Sequence, residues 1–89
     1  MDKEIDKLLV DYFDKTEEEQ DEILTIIAGT YITYHIDKGR NYKQILKSLD
    51  ADIYTAKVTE NFEKVASFNK IKEKFIDIIN ESLNNETNV

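Results

Sequence analysis

The groups able to do covalent or acid–base chemistry are few in this chain: one histidine (His35), three serines and no cysteine. Nucleophilic catalysis needs a base within hydrogen-bond reach of the nucleophile and a third group to orient that base. Asp37 stands two residues after His35, but residues two apart on a helix point to different faces. His35 therefore reads as a cation near a helix C-terminus. No catalytic residue is expected, and the chain is not expected to be an enzyme.

Metal chemistry fails on spacing. A di-iron helical bundle uses Glu-x-x-His pairs, and the residue three before His35 is Ile32. Asp50 and Asp52 open like a calcium loop, but Tyr54 occupies a ligand position, Thr55 stands where the sharp-turn glycine belongs, and Asn61 replaces the bidentate glutamate. Gly29 and Gly39 are isolated, so no phosphate-cradling loop exists. No metal and no cofactor is expected. The serine that bears the prosthetic arm of acyl carrier proteins is missing beside Asp50-Ala51-Asp52, because Ile53 follows. HEPN-type ribonucleases carry an arginine and then a histidine on one helix; here His35 precedes Arg40.

What remains is charge. Residues 1–22 hold ten carboxylates against three lysines, whereas residues 23–89 hold nine acids and nine bases, so the net charge of −7 lies wholly in the first quarter. Residues 38–47 carry Lys38, Arg40, Lys43 and Lys47, with Tyr42 among them, and no acid. Asymmetry of this kind bears on partners and association rates. Lys38, Arg40, Tyr42, Lys43 and Lys47 are the candidate partner-binding residues. The acidic segment 2–22 suggests either a surface that mimics DNA phosphates or a partner for the basic stretch of another copy.

The elements that must position these groups are helical. Proline is absent and there are two glycines, so breakers are scarce. Ile5, Leu8, Leu9, Tyr12 and Phe13 make one stripe of a helix over about residues 3–13. Thr16 to Glu19 is a capping box, and it opens a helix over about 17–38 that ends at Gly39. The middle of that helix, TIIAGTYITYHI, is apolar on nearly every side. Such a helix should be enclosed, as the centre of a bundle or partly against a second subunit. Exposed members of the group Tyr31, Ile32 and Tyr34 are the candidates for self-association. A short third helix capped by Asn41, with Gln44 completing the box, should reach Leu49. Asp50-Ala51-Asp52 then reads as a turn. Residues 53–83 read as two helices bent near Ser67–Asn69, or as one, with Asn84 to Val89 a disordered polar tail. The helices on either side of Asp50–Asp52 loosely resemble a helix-turn-helix, which implies DNA binding through the basic 38–47 region. Asp50 stands where that motif has glycine, and Leu46 where it has a small residue.

The expectation is an all-α protein, a compact bundle of four to five helices forming one domain over residues 1–83. A chain of 89 residues has a marginal core, and without cysteine it has no disulfides to support it, so a homodimer is expected. The lack of cysteine, of a leader and of a long apolar run points to the cytoplasm, without membrane contact. By elimination, the function expected is a small regulator or inhibitor that binds a protein partner stoichiometrically. Its strong use of Ile, Lys, Asn and Glu hints at an AT-rich bacterial or phage genome, and small antagonists of this kind are often encoded by phage and mobile elements.

Overall fold

Helix boundaries in this chain are set by caps. In the computed structural model, which describes residues 2–87, Thr16 and Glu19 form the expected reciprocal box. The Glu19 amide donates to Thr16 Oγ1 at 3.2 Å, and the Thr16 amide donates to Glu19 Oε1 at 3.5 Å. Helix α2 (Glu17–Asp37) follows, after helix α1 (Asp2–Leu8) and a single 3-10 turn at Tyr12–Asp14. Gly39 ends α2 with φ 75°. Its amide donates to the Ile36 carbonyl and that of Arg40 to the His35 carbonyl, both at 2.9 Å, the paired bonds of a Schellman motif. Asn41 and Gln44 then box the start of helix α3 (Tyr42–Val58) at 3.0 and 2.9 Å.

Several expectations change at this point. The first helix stops at Leu8 rather than near residue 13. Asp11 takes a left-handed conformation (φ 57°) and turns the chain so that Tyr12 enters the core. Helix α3 does not stop at Leu49, and no turn forms at Asp50–Asp52. Both aspartates sit in the helix interior with partners supplied by other helices. Asp50 accepts from Lys72 Nζ at 2.7 Å, and Asp52 accepts from the Tyr31 hydroxyl at 2.7 Å. The helix-turn-helix geometry is therefore absent at residues 50–52. The break falls instead at Thr59–Asn61, where Glu60 has φ 58° and its own pair of Schellman bonds forms, from the Asn61 amide to the Ala56 carbonyl and from Glu60 to Lys57. Asn61 also caps helix α4 (Phe62–Thr87), accepting from the Lys64 amide at 3.2 Å. Residues 67–69 lie inside α4 without a break; the Ser67 hydroxyl donates back to the Lys64 carbonyl and does not cap a new helix. Residues 84–87 of the expected tail belong to α4; Asn88 and Val89 lie outside the described residues.

Helices α2, α3 and α4 pack on one another, and α1 lies against α2. The core joins Ile5 of α1 to Ile27, Ala28 and Tyr31 of α2, Ile45, Leu49 and Ile53 of α3, and Phe68, Ile71 and Phe75 of α4. Because α3 is continuous, its buried positions step through 45, 49, 53 and 56, which turns Tyr54 and Val58 outward. All described secondary structure is helical. The molecule measures 43 × 28 × 18 Å; the long axis is close to the length of α4, since 26 residues at about 1.5 Å rise span roughly 39 Å. The 18 Å dimension is thin, so α2 is covered on one side only. Ile27, Ala28, Tyr31 and His35 face inward, whereas Ile26 is 53% exposed and Ile36 45%. The expected enclosure of α2 is not met within one copy.

Candidate functional site

The five residues of the basic stretch are divided among three surroundings. Lys38 caps the end of α2 and lays its Nζ over the Tyr34 ring, 4.9 Å from the centroid. Arg40, just past Gly39, donates from Nη1 to His35 Nδ1 at 2.8 Å. Lys47 lines the same shallow polar hollow as His35, Arg40, Gln44 and Ser48. Tyr42 and Lys43, in the first turn of α3, belong instead to an apolar groove against α4. Lys43 and Lys47 are one turn apart and both exposed, as i, i+4 spacing on one helix face requires.

Arg40 settles the chemistry of His35. A guanidinium always donates, so Nδ1 must be unprotonated and the imidazole neutral, with its proton on Nε2. That Nε2 is buried without a hydrogen-bond partner. Burial lowers the His35 pKa below its ordinary value; Arg40 and Lys38 add to the effect and Asp52 opposes it. The ring is held between tyrosines, stacked on Tyr31 at 6.0 Å and edge-on to Tyr34 at 5.1 Å. The basic lone pair of His35 is thus occupied by Arg40, and the ring serves the core of the bundle. Asp37 is exposed on another face.

The groove lies between the start of α3 and the second half of α4. Tyr42, Lys43 and Leu46 form one wall; Phe75, Ile76, Ile79 and Asn80 form the other. Its volume is about 150 Å³. The local sequence explains its shape. Asn41 fixes Tyr42 as the first helical residue, and the Tyr42 ring meets Phe75 edge-on at 6.4 Å. Phe75 is buried and forms the floor, while Tyr42 and Ile76 remain 44% and 38% exposed. No carboxylate, imidazole or serine lines it. Lys43 supplies the one charged group at the rim.

Of the groove residues, the sequence singled out Tyr42 and Lys43 as members of the basic stretch; Leu46 is half-buried and packs on the core. The α4 wall was not among the candidates; the signal for Ile76 was the apolar run Phe75, Ile76, Ile78 and Ile79, which covers more of the helix than one face needs. Among the self-association candidates, Tyr31 is corrected to the core, 1% exposed with its hydroxyl bonded to Asp52, while Ile32 is half-buried and Tyr34 is exposed. In the acidic segment Glu19 is spent on the cap, and Asp21 accepts from Lys74 Nζ of α4 at 2.7 Å. Glu4, Asp6, Asp11, Asp14, Glu17, Glu18 and Glu22 are exposed. Among the described residues no helix is long and apolar enough to cross a membrane, and no group of three or more potential metal ligands forms. No protein-family model matches the chain, and neither a curated protein nor a solved structure is similar to it.

Proposed function

We propose that this chain is a non-catalytic regulator or inhibitor that works in the cytoplasm by occupying the surface of a protein partner. The observation behind this reading is the α3–α4 groove: an apolar depression with an aromatic floor and a single cation at its rim. Binding energy in protein interfaces concentrates in a few anchors that fill desolvated pockets, ringed by polar contacts that exclude water. A partner helix or loop suited to this groove presents one aliphatic or aromatic side chain to Phe75 and Ile76. An acidic residue beside that anchor would meet Lys43. The exposed cations Lys38, Arg40 and Lys47, in and beside the α2–α3 connection, would raise the association rate with an acidic partner.

The test is affinity capture from the cells that express the chain, using the wild type, Ile76→Asp, and the double charge reversal Lys43→Glu/Lys47→Glu. A partner retained by the wild type, lost with Ile76→Asp and recovered more weakly with the double reversal is the expected result. Identical capture by all three proteins would dismiss the groove as the contact.

A further inference from the structure

The outward face of α2 carries a feature that the monomer does not use. Along it run Glu22, Ile26, Gly29, Thr33 and Ile36, spaced 4, 3, 4 and 3, the rhythm of a helix–helix seam. Ile26 and Ile36 are exposed there, and Ile26, Gly29, Thr30, Thr33, Tyr34 and Asp37 line a shallow groove of about 540 Å³. Glycine inside a helix is destabilising. A Cβ built on Gly29 would meet nothing within 4 Å, so nothing in the chain itself requires glycine there. The Thr30 hydroxyl donates to the Ile26 carbonyl at 2.9 Å, so that polar atom is already satisfied within the helix.

We infer that this face pairs with the same face of a second copy, the two α2 helices crossing antiparallel with the two-fold axis beside residue 31. Charge chooses the occupant and the direction. The start of α2 carries Glu17, Glu18, Glu19, Asp21 and Glu22, while its far end carries Lys38 and Arg40 around the lone acid Asp37. An antiparallel pair sets each acidic start beside the basic end of the other copy and also opposes the two helix dipoles. A parallel pair would set five carboxylates against five. The spacing closes on itself under the two-fold: Ile26 meets Ile36 of the second copy, and Gly29 meets Thr33. Gly29 then lies where the crossing helix comes nearest, which accounts for the missing side chain. This inference is independent of the α3–α4 groove, which lies on other helices.

The chain has no cysteine, so single labels are clean. Sedimentation of the full chain at micromolar concentration should give roughly twice the 10.4 kDa chain mass. Spin labels on Glu18→Cys should lie about 40 Å apart, since thirteen residues on either side of the axis at about 1.5 Å each separate them, whereas a parallel pair would bring them together. Gly29→Leu should leave the helical circular dichroism intact, because the space is open within the monomer. The same change should weaken association by about tenfold or more, as expected for forcing one side chain into a close-packed contact. Lys43→Glu should leave the dimer unchanged, so failure here and failure of the groove proposal are distinguishable. A monomer at these concentrations, a short Glu18 distance, or a Gly29→Leu protein that associates as tightly as the wild type would each overturn the inference.

Discussion

The α3–α4 groove and the outer face of α2 are both apolar and both exposed, yet they are built for different occupants. The groove is short and curved, with Phe75 as a floor and Tyr42 and Ile76 standing at its edges. The α2 face is long and shallow, with Gly29 and two threonines along its middle and opposite charges at its ends. A pocket with a floor accepts one projecting side chain, and a shallow helical stripe accepts another helix. Exposed apolar surface by itself therefore says little about a partner; its curvature and the charges that frame it say more.

The contrast can be broken by comparing variants on the two surfaces. The largest effect should come from the groove floor. Phe75→Ala removes a buried ring shared with the core and should cost about 3–5 kcal/mol of unfolding free energy, measured by urea denaturation. Ile26→Ala on the α2 face should cost the isolated monomer less than about 0.5 kcal/mol, as a surface change does. If the two costs were equal, the α2 face would be packed already and unable to receive a second helix.

The inner face of α2 gives the next effect. Tyr31→Phe removes the hydroxyl that donates to Asp52 at 2.7 Å, leaving a half-buried carboxylate with one donor fewer. The expected loss is about 1–2 kcal/mol in the same denaturation experiment. Glu60→Gly acts in the opposite direction. Glu60 occupies a left-handed turn between α3 and α4, where a side chain costs roughly 1 kcal/mol or more relative to glycine, so the variant should raise the melting temperature.

The smallest effect is set by His35. Its folded pKa is lowered, chiefly by burial and then by Arg40. The unfolded chain, with histidine near pH 6.5, therefore binds the proton first as the pH falls. Stability should be highest above that pH and should decline as acid is added, until the folded pKa is reached and the decline from this residue stops. Comparing denaturation between pH 7 and pH 5 in the wild type and in His35→Leu isolates the effect, because the variant lacks this slope.

Sequence pattern revealed the starts of α2 and α3 and concealed two of the turns, for reasons that lie in particular residues. Thr16 with Glu19, Asn41 with Gln44, and Gly39 are local devices whose partners stand within a few positions. Asp11 and Glu60 hold left-handed conformations that usually call for glycine; aspartate tolerates that region better than glutamate, but Asp11 stood among many acids and was not distinguished from them. Asp50 and Asp52 raised the opposite difficulty. Short acidic residues favour caps and turns by reaching their own backbone, but here Lys72 and Tyr31 from other helices take their oxygens. That tertiary supply lets α3 run straight through. The groove was half legible, since its α3 wall lies in the basic stretch. Its α4 wall holds no charged residue to single it out.

A photo-crosslinking amino acid placed at Ile76, with the same group at the more exposed Phe62 as a control, tests most directly whether the α3–α4 groove is where a protein docks. After irradiation in the native cells, the account predicts a discrete adduct with one protein from position 76, heavier than a crosslinked pair of chains, and none of it from position 62. No adduct from position 76, or the same proteins captured from both positions, would contradict it.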